Sequence, residues 1–150
     1  MKKSIIVFFI ILLSFMCHPF ARGEEENEFS DVINKFYDSV QSGNTNSLLE
    51  TMVPDVSKRV KKNPSKTGAL GNVFTITRQV AEGILKLEFK DRQIKVLEKT
   101  EKTARIATKI SITITNKKKD DASELQSSDV FLLKRIEDKW FIEKLGEKTN

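Results

Sequence analysis

The sequence predicts an α+β domain in which N-terminal helices pack on one face of a curved, mainly antiparallel sheet of about four strands. Two observations lead to this prediction. Apolar residues recur with helical spacing from residue 29 onward, and the spacing changes to strict alternation from residue 93. A chain with helices first and strands afterwards is typical of a domain whose helices and sheet form separate layers.

The clearest helix signal follows the acidic segment 24–28. Six apolar residues fall on one helical face: Phe29, Val32, Ile33, Phe36, Tyr37 and Val40. Ser30 is suited to cap the start of this helix, and Gly43 is suited to end it. A second, shorter helix is predicted from Asn44 or Thr45 to the residues before Pro54, because proline ends a helix that precedes it.

The middle of the chain is less regular. Residues 57–66 form a basic connector with room for one helical turn. The segment 71–90 fits a helix, but residues 85–89 also alternate as a strand does. We predict a helix to about Lys86, although Gly83 and several β-branched residues argue against it.

The second half of the chain predicts an antiparallel meander. One face of a predicted strand carries four isoleucines: Ile106, Ile110, Ile112 and Ile114. Residues 116–128 are polar and are predicted to be a loop. Val130–Leu133 is apolar on both faces, which favours a central strand covered on both sides. Residues 137–139 predict a tight turn that leads to a last strand over residues 140–145.

Residues 1–23 have the pattern of an export signal. Two lysines precede an apolar run of twelve residues, Ile5–Met16, which is shorter than the roughly 18–20 residues of a membrane span. Small residues then suit cleavage between Gly23 and Glu24. The prediction is an exported protein, periplasmic or secreted.

Cleavage would divide the chain into an acidic leader (24–28), a single α+β domain (29–145) and a short tail (146–150). An alternative remains open at Cys17, which follows the apolar run and could accept a lipid. The domain would then be tethered to a membrane. Met16 fits poorly at the position where the lipid signal has a small residue.

The residue inventory of the predicted mature domain excludes several kinds of site. The single cysteine and the single histidine both lie in the signal, so disulfides, thiol nucleophiles, Ser-His-Asp catalysis and ordinary zinc sites are not expected. No cofactor is expected either. The net charge of +5 falls to +2 without Lys2, Lys3 and Arg22, which argues against nucleic acid as a partner.

Two segments resemble the nuclear-transport-factor-2-like superfamily, and most of all its small exported bacterial members of unknown function. They are "EFSDVINKFYDSVQSGNTNSLLETM" (28–52) and "VFLLKRIEDKWFIEKL" (130–145). The resemblance implies a cone-shaped sheet whose open side is closed by the first helix. It also implies that the terminal hairpin forms the central wall of the cone. The segments 57–66 and 71–90 match no pattern of that superfamily.

The resemblance suggests a ligand pocket lined by Phe36, Tyr37 and Trp140, although all three also suit a packed core. In an isomerase of this superfamily a phenol such as that of Tyr37 would stabilise an oxyanion beside a buried carboxylate. Asp31 and Asp38 lie on other faces of the helix, and the apolar strand faces are expected to carry no acid. A non-catalytic protein is therefore predicted.

The basic connector offers a second candidate site. Its cations could bind an anionic surface, or they could form a solvated loop; they are Lys58, Arg59, Lys61, Lys62 and Lys66. Nucleic acid is again not expected, because no aromatic residues are interleaved with these cations.

The function predicted from the sequence is that of an exported, non-catalytic binding domain of the bacterial cell envelope. Its partner would be a small hydrophobic ligand or an envelope protein. Two alternatives stay open: an isomerase or cyclase that uses Tyr37, and an interaction protein with a solid core that forms a homodimer.

Overall fold

The computed structural model describes the backbone of residues 20–146 and the side chains of residues 28–146. Most of the predicted export signal, including Cys17, lies outside the described residues, as does the tail 147–150. The first described helix is continuous across Gly23 and Glu24, where cleavage is predicted.

The described chain contains four α-helices and a short 3₁₀ turn, followed by four strands. The helices are α1 (Phe20–Ser42), α2 (Thr45–Glu50), α3 (Pro54–Lys62) and α4 (Gly68–Ala81), with the 3₁₀ turn at Pro64–Lys66. The strands are β1 (Leu85–Lys99), β2 (Thr103–Asn116), β3 (Asp121–Ile136) and β4 (Lys139–Leu145). The predicted α+β class, with helices packed on a curved antiparallel sheet, is confirmed.

The helix α1 begins earlier than the sequence predicts. Ser30 lies inside it rather than at its N-cap, because the glutamate-rich segment before Ser30 is itself a good helix former. The predicted end at Gly43 is correct. Gly43 has a φ of 71°, and the N–H of Asn44 donates to the Ser39 carbonyl at 2.9 Å, as in a left-handed C-cap.

Pro54 begins a helix rather than simply ending one. It occupies the first turn of α3, where its fixed φ is suitable and its missing N–H is not needed. Most of the predicted connector is therefore helical. Val56 and Val60, one turn apart, are buried, and the basic residues remain on the exposed side.

The prediction that a helix reaches Lys86 is wrong. The helix α4 ends at Ala81, Gly83 adopts a φ of 72°, and β1 begins at Leu85. The alternation in residues 85–89 was the correct signal, since Leu87 and Phe89 face the core as strand residues do.

The predicted loop 116–128 is also mostly strand. The turn is limited to the residues around Asp120, whose φ is 51°. The strand β3 begins at Asp121 and pairs with β2 as far as Lys134. The start of β3 is polar because residues 121–126 are exposed to solvent. Polar composition indicated exposure here, not irregular backbone.

The sheet order is β1-β2-β3-β4, so Val130–Leu133 lies in an internal strand as predicted, whereas β4 lies at the sheet margin. The expectation that the whole terminal hairpin forms the central wall is therefore wrong. The β4 margin is partly covered, because the Ile142 N–H donates to the Thr51 carbonyl at 2.7 Å and the Val53 N–H donates to the Ile142 carbonyl at 2.9 Å.

A tight turn and a β-bulge shape the sheet. The β3–β4 hairpin turns at Glu137 and Asp138, which both have positive φ (47° and 63°), as a two-residue turn requires. A bulge interrupts β1 between Lys90 and Gln93, with Asp91 at a φ of 53°. Bulges bend a strand and increase its twist, so this one contributes to the concave face that the helices cover.

Candidate functional site

A polar cluster lies inside the otherwise apolar concave face of the sheet. The Tyr37 hydroxyl of α1 is 2.8 Å from the Thr108 hydroxyl of β2 and 3.4 Å from Oδ2 of Asp129 on β3. The Ser127 hydroxyl donates to the same Oδ2 at 3.0 Å. Tyr37 and Thr108 are 4% and 3% exposed, so both hydroxyls need the partners that the cluster supplies.

The fold explains why these residues meet. Thr108 and Asp129 are cross-strand partners in the β2–β3 register. Asp129 precedes Phe131 and Leu133 at alternate positions, so all three share the concave face. The expectation that no acid interrupts this face is therefore wrong, and the period-two pattern could have identified Asp129.

The protons of the cluster can be assigned from its chemistry. An ionised carboxylate only accepts hydrogen bonds, so Tyr37 donates to Asp129 and Thr108 donates to the Tyr37 oxygen. Burial raises the pKa of Tyr37 well above its ordinary value, and the Thr108 hydrogen bond opposes this only in part. Tyr37 is therefore a neutral donor. Both described hydrogen bonds to the carboxylate end on Oδ2, which leaves Oδ1 available as an acceptor.

Arg92 is a site residue that sequence reasoning missed. It lies within the β1 bulge, and its guanidinium lies 5.0 Å from the centre of the Tyr37 ring. It donates to Asn34 at 2.6 Å and to Asp38 at 3.2 Å, which ties β1 to the outer side of α1. No local pattern in the sequence indicates this contact, because it depends on where the bulge directs the Arg92 side chain.

A cavity of about 190 Å³ adjoins the cluster. Its lining includes Phe36, Tyr37 and Asp129, and its other walls are mainly aliphatic. Ile76 of α4 lines the cavity and is 37% exposed, so the cavity reaches the surface beside α4. Phe36 and Tyr37, two of the three residues predicted to line a pocket, thus both line this cavity.

Trp140 is separated from that cavity. Its ring is 5.0 Å from the ring of Phe29 in an edge-on contact, and the Arg135 guanidinium lies 5.9 Å from it on the sheet. Trp140 is not among the residues that line the cavity at Tyr37. Its buried indole nitrogen has no hydrogen-bond partner among the described residues, although a buried indole N–H usually has one.

The five predicted basic residues divide into two groups. Arg59, Lys62 and Lys66 line a second and larger cavity of about 550 Å³ between α3, the start of α4 and β4. Lys58 and Lys61 are exposed but do not line it. Arg59 and Lys62 are three residues apart and share a face of α3, and the packing of α3 beside β4 places that face at the cavity.

The described residues contain neither a metal-binding cluster nor a membrane-spanning helix. In that part of the chain, no cluster of three or more acidic, histidine or cysteine side chains could hold a metal ion. No helix there has the length and apolar character that crossing a membrane requires.

Comparison with known proteins agrees with this geometry. The sequence profile of the SnoaL-like domain matches residues 30–146, which is most of the chain. The chain belongs to the SnoaL-like domain family. The resemblance to the nuclear-transport-factor-2-like superfamily is thereby confirmed. No curated protein is significantly similar in sequence to this SnoaL-like domain.

Solved structures show the same fold at low sequence identity. A ketosteroid isomerase-like protein from Erwinia carotovora atroseptica superimposes with a TM-score of 0.59 at 14% identity, over 81% of this SnoaL-like domain's chain and 93% of its own. The association domain of C. elegans CaMKII superimposes with a TM-score of 0.51 at 10% identity, over 83% and 95% of the two chains. At these identities the similarity is one of fold.

Proposed function

We propose that this SnoaL-like domain binds a small, mainly apolar molecule in the cavity beside Tyr37, and that the ligand donates a hydrogen bond to Asp129. One observation supports this most directly. The apolar wall of the cavity contains a carboxylate whose Oδ2 is held by two hydroxyls, while its Oδ1 has no described partner. Apolar pockets with few, well-held polar groups are typical of small-molecule sites.

The size of the cavity limits the ligand. Sites for drug-sized molecules measure roughly 300–1,000 Å³, and this cavity measures about 190 Å³. A single ring that carries a hydroxyl or amine group suits this volume. The cavity also favours ligand binding over the alternative in which the interior is packed solid.

Non-catalytic binding is the favoured reading because the Tyr37 proton is already engaged. A phenol that stabilises an oxyanion must direct its proton to the substrate, whereas Tyr37 donates within the protein to Asp129. The second candidate is proton transfer of the isomerase type, with Asp129 as the base. The 3.4 Å separation of Tyr37 and Asp129 favours it, since it places a carboxylate and a neutral phenol at one cavity.

A mutation at the cavity mouth tests the ligand site. Ile76→Trp should fill the mouth, whereas Arg78→Trp, two residues further along α4 and therefore on its opposite, exposed side, should not. Benzyl alcohol is a suitable probe, and the methyl NMR signals of Ile112 and Ile114 report its entry. We expect shifts of these signals in the wild type and in Arg78→Trp, but none in Ile76→Trp. Equal behaviour of the two variants, or no shift in the wild type, would contradict the proposal.

Two further measurements separate binding from catalysis. Toluene lacks the donor group, so Asp129→Ala should weaken benzyl alcohol binding about tenfold and leave toluene binding nearly unchanged. Isomerase-type activity would appear as deuterium uptake beside the carbonyl of a small cyclic ketone in D₂O. Uptake that Asp129→Asn abolishes would replace the binding proposal with the catalytic one.

We further propose that the protein is exported and works in the cell envelope, on the strength of the pattern in residues 1–23. A homodimer is part of this proposal, and it is supported by the fold that the chain shares with the association domain of C. elegans CaMKII. Native mass spectrometry of protein from its own host would report several properties together. A mass that begins at Glu24 without lipid supports cleavage, an added lipid at Cys17 supports tethering, and an uncleaved chain contradicts both.

A further inference from the structure

The larger cavity, which we call the basic groove, has a lining unlike that of the cavity beside Tyr37, which we call the interior cavity. Its floor is apolar and consists of Val56, Leu70, Leu132 and Leu145. Its rim carries the cations Arg59, Lys62 and Lys66, and Lys144 of β4 also lines it. At about 550 Å³ it lies within the size range of small-molecule sites.

The rim cations have little competition from acids of the protein. Within residues 28–146, no salt bridge is described for Arg59, Lys62 or Lys66. Glu143 is the one acid that lines the groove, and its carboxylate faces Lys134 at 3.9 Å. The groove therefore has a positive rim over an apolar floor.

The backbone keeps this arrangement in place. Gly71 of α4 lies so close to the 3₁₀ turn that an added Cβ would overlap the Pro64 carbonyl oxygen. The turn that carries Lys66 is thus packed directly on α4. The helix α3, which carries Arg59 and Lys62, is held in place by the burial of Val56 and Val60.

We propose that the basic groove binds a free monocarboxylate with an apolar tail, such as a medium-chain fatty acid. The tail would cover the apolar floor, and the carboxylate would pair with Arg59 and Lys62 at the rim. Arginine suits this role because its guanidinium can hold a carboxylate with two parallel hydrogen bonds. The basic groove and the interior cavity share one lining residue, Leu145, and the proposal for the groove does not depend on the function proposed for the interior cavity.

Decanoate is the test ligand, measured by isothermal titration calorimetry on the full chain. Two matched double variants decide the location: Arg59→Gln/Lys62→Gln removes rim cations, and Lys58→Gln/Lys61→Gln removes the same charge from α3 outside the groove. All four side chains are exposed, so both variants should fold. We expect the first to weaken decanoate binding about tenfold and the second to change it less than about twofold.

Other probes distinguish the competing explanations. Decanol has the tail without the charge and acetate has the charge without the tail, so both should bind more weakly than decanoate. Saturating benzyl alcohol should leave decanoate binding unchanged if the two cavities are independent. Equal losses of decanoate affinity in the two double variants would overturn the proposal. Binding to phosphatidylglycerol vesicles to which all five cations contribute equally would also overturn it, because the cations would then form a diffuse contact with an anionic surface. Absence of decanoate binding would also overturn it.

Discussion

The Tyr37–Thr108 hydrogen bond allows a quantitative test of the interior cluster. In Tyr37→Phe, the buried Thr108 hydroxyl loses its partner at 2.8 Å, and an unsatisfied buried polar group costs about 1–3 kcal/mol. In Thr108→Val, Tyr37 keeps only the longer contact to Asp129 at 3.4 Å, so a loss of about 1–2 kcal/mol is expected.

The double variant separates this bond from general packing. Replacing both partners with apolar groups of similar shape leaves neither hydroxyl unpaired and is often nearly neutral. Tyr37→Phe/Thr108→Val should therefore cost less than the sum of the single variants, with a coupling free energy of about 1–2 kcal/mol. Tyr37→Phe and the double variant both leave Asp129 with one hydrogen-bond donor fewer. This cost is the same in both proteins and therefore cancels in the coupling free energy.

Urea denaturation measures these free energies. The single tryptophan, Trp140, is buried in the core and reports unfolding through its fluorescence. The slope of free energy against urea concentration should be the same in all four proteins, so that only the midpoint changes. Additive costs in the double variant would refute the hydrogen-bonded pairing of Tyr37 and Thr108.

Three further predictions concern the pH dependence, the backbone and the core. Tyr37 is the only tyrosine and its pKa is raised from 10.0, so its absorbance should titrate at higher pH in the native chain than in the urea-unfolded chain. The stability that neutral Tyr37 contributes is complete below pH 10 and is lost at higher pH. Coincident titrations of the native and unfolded chains would contradict this. Gly43→Ala should destabilise the protein by about 2–4 kcal/mol and Gly83→Ala by about 1–2 kcal/mol. Both glycines have positive φ, but of the two only Gly43 would bring an added Cβ close to backbone, at 2.6 Å from the Ala81 nitrogen. Equal shifts of the urea midpoint in the two variants would show that this contact is unimportant. Leu133 is fully buried and Leu125 is 42% exposed, so Leu133→Ala should cost about 2–5 kcal/mol of stability and Leu125→Ala less than about 0.5 kcal/mol. Thermal or urea unfolding measures both costs. Similar losses in the two variants would contradict the burial described for β3.

The elements that the sequence predicts best are those with a strong local period. The helical face around Phe36 and Tyr37 and the isoleucine face of β2 are both buried as expected. Prediction failed where composition and geometry gave different signals. The polar start of β3 resembles a loop, and the segment before Leu85 has both helical and strand spacing, so local pattern alone could not choose between them.

The candidate site was only partly accessible from the sequence. Tyr37 was identified because it lies on an apolar helix face, and Asp129 could have been found from its alternation with Phe131. Arg92 and the division of the basic residues could not have been found in this way. Both depend on the β1 bulge and on how α3 packs beside β4, which are contacts between distant parts of the chain.

The sequence by itself determined the fold class, the central place of Val130–Leu133 and the apolar face of the first helix. This was possible because hydrophobic periodicity is a local property of the sequence and predicts which residues are buried. The tertiary structure alone decided that Tyr37, Thr108 and Asp129 meet, since α1, β2 and β3 are brought together only when the sheet curves under the helix. It also decided that β4 is a margin and that three of five cations surround a groove, because strand order and helix docking depend on long-range packing that no local period encodes.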